Sequence, residues 1–302
     1  MTKSVGFIGF GEAAEAFAAA LRDAGVSQIV VYCDGRTNRP PYRRDFTDRV
    51  IASGATTVNS LREVVEESDV IFSAVIVATA TEVGAQIAEL LRPGQLLVDI
   101  NASTPGSKKT IAEAVANGGA QFVDANLMGA VSIYGHAVQL YCSGSGAARF
   151  KADFEPLGFT VEVAGEHAGT AATVKMLRSV VTKGMEALIV EAMTAAYRAN
   201  VTEEAFEGIV GPMDATSYRD FAIMCLKTDV LHAERRAVEM QGVADGLEEI
   251  GIEPTMANAT VRRLTASAAL GVRTHFVAQP PVTYHDVLRA YDTAQSSSAT
   301  QS

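Results

Sequence analysis

The side chain best placed by its neighbours to move a proton is Lys175. On a helical wheel Lys175, Arg178, Ser179, Thr182 and Glu186 share one sector, while Met176, Leu177, Val180, Val181, Met185 and Leu188 fill the rest of the circumference. A lysine held in partly dry surroundings has its pKa pushed down from about 10.4 toward neutrality, where it can take a proton from a hydroxyl group. The same stripe also suits the hydrated face of a helix between domains, and the wheel alone leaves both readings open. Gly165 and Gly169, with Ala168, Ala171 and Ala172, keep the preceding turns narrow, so a ligand or a second helix can come close.

A second constellation lies near the start of the chain. An apolar run ending at Ile8 breaks into Gly9-Phe10-Gly11-Glu12-Ala13-Ala14 and then into an alanine-rich stretch. The first glycine permits a tight turn, the second leaves room for a pyrophosphate, and the small Ala14 lets helix and strand pack closely. Backbone N–H groups of Glu12, Ala13 and Ala14 at the helix start then face the phosphate charge. A second apolar run, 29–32, ends at Asp34, 20 residues past Ala14, where an acid meets the adenosine ribose of a bound dinucleotide. An ordinary strand–helix crossover without ligand has the same outline. Asp34 favours NAD because an acid repels a 2′-phosphate, whereas Arg36, followed by Arg39, Arg43 and Arg44, either attracts one and admits NADP or, as suits most of these arginines better, belongs to a solvated surface loop.

The elements that must position these groups alternate in type. Apolar segments 70–75, 96–100, 121–125 and 137–142 read as strands, with amphipathic helices such as 60–67 and 81–91 between them. That rhythm predicts an α/β fold, a Rossmann-type doubly wound and mainly parallel sheet. Ligands bind such sheets at the carboxyl ends of the strands, which singles out the loops after Ser73 (with Val75), after Ile100 and after Ala125. From about Glu166 the strand signal stops, and helices are expected through 200, then over 203–209, 213–224, 228–250 and 255–270. We therefore expect a dinucleotide-binding domain over 1–164 and an all-helical substrate and dimerisation domain over 165–290, joined by a long interdomain helix. The polar residues of 291–302 read as a disordered tail.

Composition narrows the class further. The chain has 302 residues, 48% of them hydrophobic, and a net charge of −10, which argues against a nucleic-acid surface. Cys33, Cys142 and Cys225 are far apart, so neither a disulfide frame nor a metal site is expected, and a reducing cytoplasm fits. The first strand starts at Ser4, leaving no room for a secretory leader, and charges interrupt the apolar stretches short of membrane-spanning length.

Together these segments resemble the β-hydroxyacid dehydrogenase superfamily, which includes 3-hydroxyisobutyrate and 6-phosphogluconate dehydrogenases. The resemblance rests on the N-terminal glycine turn, Asp99-Ile100-Asn101-Ala102-Ser103-Thr104, Asp124-Ala125-Asn126-Leu127-Met128-Gly129-Ala130, and Gly169-x-Ala171-x-x-x-Lys175, in that order. It implies a nicotinamide-dependent oxidoreductase acting on a small hydroxy compound, or its carbonyl form, in a pocket between the domains. By the same likeness Lys175 is the acid–base group, Asn101 and Ser103 lie near the nicotinamide ribose, and Asn126, Met128 and Gly129 line the substrate pocket. A homodimer is implied too, and it agrees with the wide apolar sectors of the long helix.

The departures matter as much. Met128-Gly129-Ala130 stands where much of the family has Ser-Gly-Gly to hold a carboxylate, and Ser179 stands where an asparagine often follows the lysine. Arg178 either replaces that anchor or forms a structural ion pair. Thr182 occupies the position of the acid that decarboxylating relatives use, which favours simple oxidation or reduction. Thr228-Asp229-Val230-x-x-Ala233 resembles the family's Lys-Asp-Leu-x-x-Ala, placing Asp229 and His232 where relatives close the pocket. The run from His232 to Met240 resembles a less-characterised 6-phosphogluconate-dehydrogenase-like branch. Imine reductases share the architecture but generally lack the lysine. A non-catalytic dinucleotide sensor or scaffold is the remaining alternative.

Overall fold

The computed structural model describes residues 4–35 and 38–299, which form two compact units, Met1–Val180 and Val181–Ser302 by chain position. In the first unit eight strands form one sheet: β1 (Ser4–Ile8), β2 (Gln28–Tyr32), β3 (Thr56–Thr57), β4 (Val70–Ser73), β5 (Leu96–Asp99), β6 (Gln121–Leu127), β7 (Leu140–Ser143) and β8 (Val161–Val163). Their order is β3-β2-β1-β4-β5-β6-β7-β8, parallel throughout except for the β6–β7 pair. The order of the strands reverses at β1, which lies between β2 and β4, and the crevice at such a switch point is where these sheets take ligands.

Period-two alternation explains the two cores. Phe7, Phe72, Val98 and Val123 enter one cluster, while Ile71, Leu97 and Phe122 enter the other. The first cluster is aromatic: Phe72 lies 5.1 Å from Phe7 in a stacked pair and meets Phe17, Phe150 and Phe154 edge-on. Helix α1 (Glu12–Asp23) buries Ala14, Phe17, Ala18 and Leu21 against it at spacings of three and four. Helices α2 (Arg44–Ala52), α3 (Leu61–Glu66), α4 (Ala80–Ala88), α5 (Pro105–Asn117), a short α6 (Val131–Tyr134) and α7 (Ala147–Phe154) complete the layers. Ser60 starts α3 by accepting from the Glu63 N–H at 3.2 Å, and the Glu63 carboxylate returns to the Asn59 N–H at 3.0 Å.

The second unit is helical: most of α8 (Thr170–Arg198), then α9 (Thr202–Asp214), α10 (Tyr218–Glu249), α11 (Thr255–Ala269) and α12 (Tyr284–Ala299). Glu191 accepts from the N–H groups of Met256 at 2.7 Å and Ala257 at 2.9 Å, so α8 supplies the anion for the start of α11. No helix among the described residues is long and apolar enough to cross a membrane.

Several boundaries differ from the sequence reading. The units divide inside α8, after Val180, and not near residue 164, because the first turn of that helix is hydrogen-bonded to the sheet. Segments 213–224 and 228–250 do not form separate helices: Ser217 caps a single α10 by accepting from the Asp220 N–H at 3.1 Å. The strand expected over 137–142 begins only at Leu140, after a 3-10 turn over Gly135–Ala137. The polar stretch read as a tail from 291 continues α12 through Ala299, with Val287 fully buried beneath the helix's first half. Residues 300–302 lie outside the described part.

Candidate active site

The glycine turn is the first half of the site. Gly9 has φ of +87°, and a Cβ there would stand 2.2 Å from the Ala74 carbonyl oxygen, so β1 can leave the sheet beside β4 only with glycine. At Gly11 a Cβ would meet nothing within 4 Å, which is open space beside the turn. Helix α1 starts there with no side-chain cap, leaving the N–H groups of Glu12, Ala13 and Ala14 without intrahelical acceptors. Ala14 is fully buried against the sheet, as the motif requires.

The end of β2 is braced from beneath. The Tyr42 hydroxyl accepts from the Cys33 N–H at 3.0 Å and lies 3.0 Å from the Val58 carbonyl oxygen. Burial pushes the Cys33 thiol up to about 11, against a smaller downward pull from the Gly9 and Phe10 backbone. Arg49 donates to the Phe10 carbonyl at 3.0 Å and lies over the Phe10 and Phe46 rings. Asp34 follows β2, exposed, and with burial it raises the Tyr32 hydroxyl pKa. Arg36 lies outside the described residues.

The second half is a buried polar row across four neighbouring strands, made of the last residues of β4, β5 and the antiparallel β7 and the middle residue of β6. Ser73, Asp99, Asp124 and Ser143 are register partners on β4, β5, β6 and β7, each at most 1% exposed. Ser73, Asp99 and Asp124 each follow by two residues a member of the second core cluster, Ile71, Leu97 and Phe122, so the pleat puts them on the same face. Asp99 accepts from Asn101 twice, from its N–H at 2.9 Å and its Nδ2 at 2.5 Å, and Asn101 Nδ2 also reaches Ser73 Oγ at 2.9 Å. Asp124 accepts from Asn126 Nδ2 at 2.8 Å and Ser143 Oγ at 3.1 Å. Its second oxygen accepts the Gly169 and Ala172 N–H groups at 3.1 and 3.0 Å, so this carboxylate holds the start of α8.

Lys175 follows Ala172 by three residues and is half-buried, as is Ser179, while Arg178 is exposed. The close approach expected at Gly169 is made by a neighbouring helix start: a Cβ there would stand 2.9 Å from the Pro105 carbonyl oxygen of α5. Val75 and Met128 are half-buried in the loops after β4 and β6, and Gly129 is exposed. Asn126 is buried, and so is Ser103, whose hydroxyl has no hydrogen-bond partner among the described residues. Asp229 and His232 lie on α10 in the second unit, both half-buried, and Asp229 accepts the Tyr291 hydroxyl at 2.6 Å, tying α10 to α12.

One group in the row escapes the sequence reading. Lys108 of α5 is fully buried, with Nζ 2.8 Å from the Asp99 carbonyl oxygen and 3.3 Å from both the Asp99 and Asp124 carboxylates. Beside Lys109 it looks like half of a solvated pair. The available signal is its spacing, since Lys108, Ile111 and Val115 are the buried stripe of α5. Burial raises the Asp99 pKa, and Lys108 together with the Asn101 contacts pulls it back down.

Residues 4–156, just over half of the chain, match the NAD binding domain of 6-phosphogluconate dehydrogenase. The chain belongs to this family, within the β-hydroxyacid dehydrogenase superfamily. Residues 196–267 match a domain of unknown function, DUF1932. A conserved protein of unknown function with structural similarity to 3-hydroxyacid dehydrogenases is 31% identical, over 89% of this chain and 98% of its own, with a TM-score of 0.60. A conserved hypothetical protein from Sinorhizobium meliloti is 29% identical over 97% of both chains, with a TM-score of 0.61. An imine reductase V8 variant from Myxococcus stipitatus, in complex with NAD+, has a TM-score of 0.71 at 20% identity over 90% of this chain and 95% of its own, a likeness of fold. The family is one of NAD(P)-binding dehydrogenases and reductases.

The residues present fit a dinucleotide. Gly9 keeps the turn tight, the space beside Gly11 is open, the start of α1 offers N–H groups with no side-chain cap, and the buried Ser103 hydroxyl, in the loop after β5, has no hydrogen-bond partner among the described residues.

Proposed function

We propose that this protein transfers a hydride between a nicotinamide dinucleotide and a small hydroxy compound, most simply a hydroxy acid, or its carbonyl form, with Lys175 as the general acid–base. The observation that carries the reading is the tie from Asp124 to the Gly169 and Ala172 N–H groups, which fastens the helix bearing Lys175 to the strand ends that also bear Asn101 and Asn126. A bound nicotinamide supplies the hydride chemistry. Gly9, Gly11 and the N–H groups of Glu12, Ala13 and Ala14 hold the pyrophosphate, Asp34 the adenosine ribose, and Val75, Asn101 and Ser103 the nicotinamide end.

In oxidation Lys175 Nζ takes the proton from the substrate hydroxyl, and in reduction the ammonium returns it to the carbonyl oxygen. Asn126, Met128, Gly129 and Ser179 line the substrate, and Arg178 grips a carboxylate. The Asp34 carboxylate favours NAD over NADP. The free, mostly buried cysteines suit a reducing cytoplasm, and the working form is a homodimer.

Titration of the purified chain into NADH and NADPH, followed by reduced-nicotinamide emission, tests the cofactor site; binding of neither would overturn it. Substrates then come from a screen of hydroxy acids and their carbonyl forms. Lys175→Met is expected to lower kcat by about 10²-fold or more while leaving cofactor affinity within about twofold. Unchanged turnover would remove Lys175 from the chemistry.

A further inference from the structure

Two aspartates in register on adjacent strands, both shut off from water, repel each other unless something neutral or positive stands between them. Lys108 does so: its ammonium donates to the Asp99 carbonyl oxygen at 2.8 Å and lies 3.3 Å from one oxygen of each carboxylate, an ion pair with both. The second negative charge is met by the amino end of α8, whose N–H groups point at Asp124. The charges therefore close only when α5, β5, β6 and the start of α8 are all in place.

Such a group is a costly way to gain stability, because burying an ammonium and two carboxylates forfeits their hydration. What it provides is placement. From Lys108 one branch runs through Asp99 to Asn101, whose two Nδ2 protons are taken by Asp99 and Ser73, leaving its Oδ1 as the group that can accept from a ligand hydroxyl. The other runs through Asp124 to Asn126 and to the backbone one turn before Lys175.

We propose that Lys108 is a positioning residue, which sets the nicotinamide-end asparagine and the start of the Lys175 helix in one fixed relation through Asp99 and Asp124. The role rests on the dinucleotide reading given above. It sets Lys108 apart from the adenosine end, which depends on Gly9, Gly11 and the end of β2, since the hydrogen bond and ion pairs of Lys108 among the described residues run to Asp99 and Asp124.

The test compares Lys108→Met with the unaltered chain for two probes, the reduced dinucleotide that the unaltered chain binds and 5′-AMP, which carries the adenosine end alone. NADH or NADPH affinity is expected to fall by about tenfold or more, with 5′-AMP affinity held within about twofold. Affinities for both probes equal to those of the unaltered chain, or equal losses of both, would overturn the proposal. If Lys108→Met does not fold, Lys108→Met combined with Asp99→Asn removes one charge of each sign, and the same split is expected of it. Should the unaltered chain bind no dinucleotide, the functional reading fails by itself. Hydrogen exchange then decides the positioning role: amides of 101–104 and 169–173 must exchange about tenfold faster in Lys108→Met while those of 9–15 stay unchanged.

Discussion

Gly9 and Gly11 stand two residues apart and answer the same substitution in opposite ways. An alanine at Gly9 would combine a φ of +87° with a methyl carbon 2.2 Å from the Ala74 carbonyl oxygen, so the turn or β4 must move. Gly9→Ala is expected to cost about 3 kcal/mol or more in denaturant unfolding. At Gly11 the added methyl meets no atom, so Gly11→Ala should unfold within about 0.5 kcal/mol of the unaltered chain, and under the proposed function, which places the pyrophosphate in that open space, it should weaken NADH binding by tenfold or more. Equal stability losses, or unchanged binding in Gly11→Ala, would contradict these assignments. The pair was legible in the sequence because a turn of this kind is a local property of a few residues. Lys108 was not, because its partners Asp99 and Asp124 come from strands 9 and 16 positions away, and only strand register brings them together.

At the scale of elements, alternation and helical periodicity located most strands and helices of the first unit, since both measure which faces are buried. They missed β3 and β8, which are two and three residues long and lie at the sheet edges, too short for a period to show. They also split α10, whose charged middle hides the buried stripe Val230, Ala233, Ala237 and Ala244. The end of β2 carries a pH dependence that only the packed structure reveals. The Cys33 thiol titrates near 9.0 in an open chain and about 11 here, so the unfolded state loses its proton first. Its contribution to stability is complete below about pH 9 and is lost as pH rises through 11, amounting to about 2 kcal/mol by pH 10.5. Tyr42, pushed from 10.0 to about 12 mainly by burial, adds the same sign at higher pH. Denaturant unfolding at pH 8 and 10.5 should therefore show a steeper fall for the unaltered chain than for Cys33→Ala; parallel falls would remove Cys33 from this dependence.

At the scale of the whole molecule, the apolar faces of α8 remain to be covered. Leu177, Val181, Met185 and Leu188 follow one another at spacings of three and four and are 56%, 46%, 39% and 43% exposed in the single chain, and Val180 and Val190 add to the surface. Such a stripe is costly to leave in water, and a second copy of the same helix offers a matching one, since a two-fold axis makes a surface its own complement. A net charge of −10 on each chain opposes that association, so the proposed homodimer would have to form by apolar burial and should strengthen as salt screens the repulsion. Sedimentation equilibrium at about 10 μM is expected to give twice the 31.8 kDa chain mass in both 0.05 and 0.5 M salt. Val181→Glu combined with Leu188→Glu puts good helix formers at both positions while setting two charges in the stripe, and should shift the protein to monomer with its far-ultraviolet helix signal intact. A monomeric unaltered chain would leave the α8 stripe without this partner, and a dimer that dissociates in high salt would place the contact on ion pairs rather than on the helix face.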